Sequence, residues 1–442
     1  MPSRRGHSRA GHLGTLRARI IAALQEFGPT TGAAVVRSGA APAAISVPGG
    51  AIAFTSPSDL QTKVDANPSG TDFVSAGSML WTSGVSIPAK AAKIWMPTAH
   101  VIDGNGAQII GLNLGAGSEL HGGTWINFGS VGGQLFHRPV MAGGNDPWTG
   151  PVLVEDAIFH DNYETALHAQ CSNATFRRCL LYNNGRYGWG ASLPALGAPI
   201  RTGLRVENCQ WYGNNSRHLN TADDAGGNKV TGNTAAYIGR CWSYNNYGSG
   251  IWTDFASGQH IIEENVVEGN RNWGIFYEVG SGQVGSGGLA NAIIRHNFLK
   301  DNANADAGGQ WFNEVQVLAS CSDGLAAGGV GFEVHNNYID GFFKAIGFID
   351  HDQHPTAARG MHTHDNDIWL RGSVSGGPAF VGGSKEGTRD PFAPAANNTF
   401  VRNRYHVTDA ALLKWRWNNT ALNWAQWQAA GNDLEGTLLV DA

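Results

Sequence analysis

From residue 150 onward the chain repeats one pattern: a short alternation of apolar and polar positions, closed each time by Asn or Gly. The segments LVEDAIFHDN, TFRRCLLYNN, RVENCQWYGN, YIGRCWSYNN, IIEENVVEGN, IIRHNFLKDN and EVHNNYIDGF align on their apolar leads. These leads are Val154, Phe176, Val206, Ile238, Ile262, Ile294 and Val334, spaced by 22, 30, 32, 24, 32 and 40 residues. Intervals of 22 to 24, stretched elsewhere by inserted loops, suit one coil of three short strands and three turns. Such coils bury their apolar positions only by stacking on their neighbours. The pattern predicts an all-β chain, a right-handed single-stranded parallel β-helix, with a short helical arm before it and a cap after it.

Two columns support that register. Eight residues beyond the leads stand Asn162, Asn184, Asn214, Asn246, Asn270 and Asn302, with Phe342 departing in the last coil. Asn tolerates left-handed turn geometry, and stacked amides can bond from coil to coil. Three residues beyond the leads stand Ala157, Cys179, Cys209, Cys241, Asn265, Asn297 and Asn337. The cysteines therefore read as one small inward column, not as redox chemistry.

The chain divides into residues 1–50, a basic helical arm and linker; 51–149, an N-terminal cap and first coils; 150–405, the β-helix proper; and 406–442, a Trp-rich cap. An exposed terminal coil is an open sheet edge, so each end needs a cover. SDLQTKVDANPSG supplies a short helix at the start, and Trp415, Trp417, Trp424 and Trp427 supply bulk at the end.

Composition narrows the function. A net charge of −5 with 15% charged residues gives no general basic surface for nucleic acid. The 61 glycines follow no Gly-X-Y period, and 42% hydrophobic content argues against disorder. Five cysteines without a CxxC pair indicate neither a disulfide framework nor a zinc knot. The longest apolar run near the N-terminus, Ile20 to Leu24, is short of a signal-peptide core, and no stretch has the length of a membrane span.

The candidate chemistry follows the Asn turn. GSGIWTDF and NWGIFYEV place Asp254 and Glu278 each sixteen residues after their leads, and DDAGGNKV places Lys229 25 residues before Asp254. One base and two acids then share a ladder with rungs ~4.8 Å apart. Trp252, Phe276 and Tyr277 stand beside it, and Glu314, Gln316 and Asp350 extend it, Asp350 only with a one-residue slip. Paired carboxylates suit glycoside cleavage by a general acid and a nucleophile. A lyase would instead use Lys229 as base, with the acids holding calcium. The same face could grip sugar hydroxyls without cleaving, or be a solvated polar face. Asp224 and Asp306 mark matching turns. His351, His354, His362 and His364 lack helix-presented metal-ligand spacing, and no metal is assigned to them.

GSGIWTDF, HIIEENVVEGN, GIFYEVG, DAGGNKV and WAQWQAAGNDL together resemble the right-handed parallel β-helix repeat proteins, the group that includes pectate lyases, polysaccharide-degrading enzymes and phage tailspikes. The resemblance covers about residues 55–440. It implies a polysaccharide ligand and carries Lys229, Asp254 and Glu278 over as the catalytic candidates. The tight pectate-lyase signatures are missing. With a basic arm in place of a signal peptide, the chain looks like a phage tail component. It is expected to bind, and on one reading cleave, a host surface polysaccharide, as a homotrimer anchored to other tail proteins through residues 1–50. A secreted bacterial hydrolase or lyase is the alternative, and a purely structural tail protein the third reading.

Overall fold

The computed structural model describes residues 42–441, apart from 132–136, 144–149, 193–200, 222–224, 233–234, 257, 280–289, 303–314, 320–331, 342–344, 351–358, 372, 375–376, 379–380, 386–387 and 389. The helical arm, Cys321, Phe342, Asp224, Asp306, His351 and His354 lie outside these residues. Parallel strands stack coil on coil, and each lead residue pairs with the next: Val154 with Phe176, then Val206, Ile238, Ile262, Ile294 and Val334. Coils begin earlier than the sequence period showed, with Ile52 pairing Phe73, Phe73 pairing Ile94 and Ile94 pairing Leu120. The early coils use long unbroken strands such as Lys93–Asp103 and Glu119–Ile126, which hides the period.

Each regular coil carries three strands. The first two, Ala174–Arg177 and Leu180–Tyr182 in one coil, meet at a tight corner, and the third, Tyr187–Ala191, follows a second corner. At the first corner one residue per coil is left-handed: Arg178, Asn208, Arg240, Glu264, His296 and Asn336 all have φ between 52° and 57°. The next residue points inward and forms the cysteine column, which passes into an amide ladder. The Cys241 N–H donates to Asn265 Oδ1 at 2.9 Å, and Asn265, Asn297, Asn337, Asn366 and Asn403 each donate to the next, ending on Asp433. Cys171, Cys179, Cys209 and Cys241 are buried, free thiols. Burial pushes Cys171 up to about 11 and raises Cys179 and Cys209 well above the ordinary thiol range. None of these four is expected to take iodoacetamide at pH 8 until denaturant is added, as peptide mapping would show.

The second corner carries the predicted Asn column, with one correction. Asn162, Asn184, Asn214, Asn246, Asn270 and Asn302 are buried and link Nδ2 to Oδ1 at 2.8–3.0 Å. They do not adopt the left-handed geometry themselves. That falls on the residue before each: Asp161, Asn183, Gly213, Asn245, Gly269 and Asp301. In the Asn-Asn pairs the first residue turns the chain and the second ties the coils.

Both ends are covered. Helix α1, Pro57–Ala66, starts at Ser56, whose hydroxyl accepts the Asp59 N–H, and buries Leu60 and Val64 against the core. At the other end the short helix α2, Trp424–Ala429, opens with a capping box from Asn423 and buries Trp427, whose indole donates to Asp433 Oδ2 at 3.0 Å. Trp415 is also fully buried, packed on Tyr405. The terminal tryptophans therefore close the core. Nearby, His406 stacks on Trp369 and lies between Asp367 and Asp441 at 2.9 and 2.7 Å. Burial lowers its pKa, but bonds to the two acids win and raise it overall. The sign follows: its contribution is full below about pH 6.5 and is lost as pH rises through the raised value. Amides of Thr437–Val440 are expected to exchange faster at pH 9 than at pH 6, after correction for intrinsic exchange.

Residues 42–50, read in the sequence as linker, lie along the outside of the early coils: Ala43 N–H donates to Asp156 Oδ1 at 3.0 Å. Among the described residues no helix is long and apolar enough to cross a membrane.

Candidate functional site

The third strands of successive coils form one parallel sheet. Gly226–Thr231, Ile251–Ala256 and Ile275–Val279 lie side by side in it, with Val230 beside Thr253 and Thr253 beside Tyr277. Strand alternation fixes the faces. Val230, Ile251, Ile275 and Tyr277 enter the core, so Lys229, Trp252, Asp254, Phe276 and Glu278 lie on the outer face. Inside, Asn228 exchanges bonds with the Trp252 backbone at 3.3 Å each way, which fixes the rung beneath Lys229. The register between the two later strands shifts after Thr253, a bulge that bends the strand where Asp254 stands.

The three ladder residues meet. Lys229 Nζ lies 2.8 Å from Asp254 Oδ2 and 3.8 Å from the centroid of the Trp252 ring. The Trp252 indole donates to Glu278 Oε2 at 3.3 Å, and the Glu278 carboxyl is in hydrogen-bonding contact with Asp254. Burial first, then the Asp254 charge and that contact, push Glu278 up to about 8, against the opposing pull of Lys229 and Trp252. Glu278 therefore keeps its proton at neutral pH. Among the described residues no N–H reaches buried Asp254 Oδ1, so it is the acceptor that this proton would satisfy. Asp254 is buried, while Lys229 and Glu278 reach the surface.

Other predicted members fall elsewhere. Tyr277 is a core residue, edge-on to Phe332 and His260, because it stands one position off the outward parity of Glu278. Trp252 and Phe276 do face outward, but Trp273 stacks over Phe276 at 4.0 Å and the three are buried with Ile349. They wall the ladder and offer no open ring to a sugar. Asp350 is fully buried and pairs in register with Ala319 and Lys385, while Ile349 takes the rung beyond Leu318 and Glu278. The one-residue slip is real and moves Asp350 off the ladder. Gln316 holds the rung next to Phe276, and Glu314 lies outside the described residues.

His168 was not visible in the sequence pattern. It stands in the outward column of Lys229, separated from it by Gly190. Its Nε2 lies 2.8 Å from Ser192 Oγ. Burial, and secondarily the charges of Arg138, Arg201 and Arg186, hold its pKa well below the usual histidine range. A Cβ at position 190 would come within 2.9 Å of His168 Nδ1, so the glycine keeps a notch open between histidine and lysine. A glycine opposite a polar strand residue was the only sequence signal.

The donor set does not fit calcium. A hard cation needs several ionised oxygens, whereas Asp254 already holds an ammonium and Glu278 keeps its proton. Nor is Lys229 a ready base, being paired with Asp254. His364 bonds Asp365 and Glu333 and stacks on His335, and His362 contacts Asn397. Among the described residues no group of three or more His, Cys, Asp and Glu is placed to hold a metal ion.

Residues 140–339 match the family model described as right handed beta helix region. Together with the coil register, this makes the protein a right-handed parallel β-helix. No curated protein matches in sequence. Among solved structures the chain is similar to the A-module of the mannuronan C-5 epimerase AlgE6 of Azotobacter vinelandii, at 15% identity and a TM-score of 0.42, covering 91% of this chain and 98% of that one. It is similar to the Dettilon tailspike protein at 11% identity and a TM-score of 0.35, covering 86% of this chain and 64% of that one. It is similar also to the catalytic domain of a GH87 alpha-1,3-glucanase, at 12% identity and a TM-score of 0.34, covering 90% and 69%. At these scores the likeness is one of solenoid to solenoid, and the chemistry of this chain rests on its own side chains.

Proposed function

We propose that this protein binds a polysaccharide along the outer face of the third sheet and hydrolyses it with Glu278 as proton donor. The observation that carries this reading is the Lys229–Asp254 contact at 2.8 Å with the largely buried Glu278 carboxyl beside it, which burial and the Asp254 charge push up to about 8. General acids are tuned upward in this way by burial and a neighbouring charge. The two carboxyls touch, whereas glycosidase pairs that flank the scissile bond stand about 5–5.5 or 6.5–9.5 Å apart. Glu278 and Asp254 therefore act from one side as a unit. The Glu278 proton passes to the leaving glycosidic oxygen as the C–O bond breaks. Water supplies hydroxide to the anomeric carbon, and its proton returns to the pair. Lys229 holds the extra negative charge between these steps, and His168 with Ser192 lines the next stretch of the same face.

The test is incubation with purified surface polysaccharides, following reducing ends and the absorbance of unsaturated uronates. New reducing ends without unsaturation are expected; unsaturated products would replace hydrolysis by elimination.

We further propose a phage tail setting, with host polysaccharide as target, assembly into a homotrimer and residues 1–50 as the anchor to other tail proteins. Deleting residues 1–41 is expected to spare folding and to abolish incorporation into particles. Normal incorporation would overturn the anchor.

A further inference from the structure

A second site lies on another edge of the molecule, at the corner before the third sheet. Two clefts of 440 and 430 Å³ share Ser216 as a common wall. Their floor is the left-handed corner column Asn105, Asn127, Asp161, Asn183, Gly213, Asn245 and Gly269, one position per coil. Seven rungs at ~4.8 Å make a groove roughly 29 Å long parallel to the axis.

A small knuckle, residues 215–219, divides the groove. Asn215 builds it, accepting the Leu219 N–H at 2.8 Å and donating to the Tyr247 and Leu219 carbonyls. On one side Arg217 stacks on Tyr163, 3.9 Å from its centroid, and pairs with Glu164. On the other, His218 stacks on Tyr247 at 3.9 Å, and Arg271 lies 4.2 Å from the centroid of the same ring. The second cleft is lined by Arg271, His218, Ser216 and asparagines, and among the described residues no carboxylate lines it. The Arg271 guanidinium rests on an aromatic ring, and among the described residues no acid pairs with it, in contrast to Arg217.

We propose that this second cleft binds the anionic group of an acidic saccharide, with Arg271 and His218 facing the charge, Ser216 and Asn245 meeting hydroxyls, and the sugar chain running along the groove. An immobilised guanidinium in a concave, amide-rich site recognises carboxylate or phosphate oxygens through directed N–H donors. The site stands apart from the Lys229–Asp254–Glu278 ladder, so it can hold a chain whether or not that ladder cleaves it.

Isothermal titration of the full chain with oligogalacturonate, with a phosphorylated mannan oligosaccharide and with neutral dextran oligomers tests this. At least one acidic ligand is expected to bind and dextran not to. Arg271→Ala should weaken that binding tenfold or more, Arg271→Lys should restore part of it, and Tyr247→Phe should leave it within twofold. Glu278→Gln should leave it unchanged, which separates this site from the catalytic proposal. Dextran binding as tightly as the acidic ligands, no binding by either acidic ligand, or Arg271→Ala binding like wild type would each overturn the assignment. The carboxylate and phosphate arms identify which anion the cleft prefers.

Discussion

Glu278→Gln is expected to lower kcat for glycan cleavage by about 10²–10⁴-fold, the range a positioned general acid supplies, while leaving the fold intact. Glutamine keeps a donor toward Asp254 and an acceptor for the Trp252 indole, so the ladder geometry survives and only the transferable proton is lost. In the wild type, kcat should fall as pH rises through about 8, because the raised pKa of Glu278 means that the acid form dominates below that value and disappears above it. Asp254→Asn should cost a similar factor by a different route, leaving Lys229 without its charge partner and Glu278 without the neighbour that raises it. Initial rates of reducing-end release across pH 5–10 measure all three. A Glu278→Gln variant that cleaves at the wild-type rate would remove this residue from the mechanism.

Asn246→Ala is expected to be the most damaging small substitution in the coils, costing on the order of 3 kcal/mol. Its Oδ1 accepts both the backbone and side-chain N–H of Asn214, at 3.1 and 3.0 Å, and its own amide donates to Asn270 and to the Trp211 carbonyl. Truncation leaves several buried polar groups without partners, at roughly 1–3 kcal/mol each before relaxation. Asn245→Gly, one residue away, removes only a solvated turn side chain from a left-handed position that glycine accepts, and should change stability by less than about 1 kcal/mol. Urea unfolding of the two variants compares them directly. Equal losses would mean that the ladder does not tie the coils.

The repeat was legible because each coil must put one apolar lead, one small inward residue and one amide at fixed offsets, and those offsets survive loops of any length. The early coils were less legible, since long strands such as Lys93–Asp103 carry the stack and the buried Asn column begins only at Asn162, with Phe128 in its place one coil earlier. For the site, counting sixteen residues from the lead placed Asp254 and Glu278 on one face, and their shared offset made them neighbours. The same count failed for Asp350, because a single residue reverses the face of a strand. It could not show Trp273 closing over Trp252 and Phe276, as that contact depends on a side chain from the preceding turn. His168 needed the structure, because its coil, though of the basic 22-residue length, shares no motif with those of the acids.

The segment that runs lengthwise from the first rung, Ile52–Phe54, back to Asp156 in the fifth alters how the solenoid comes apart. A stack whose coils touch only their neighbours can fray from an end one coil at a time. A strap that starts at one end and is fastened four coils in couples those coils, so they should open together or stay closed. Attachment at residue 42 then pulls on the body sideways through five rungs, and a tug on the N-terminal extension loads them in parallel instead of peeling the first one away.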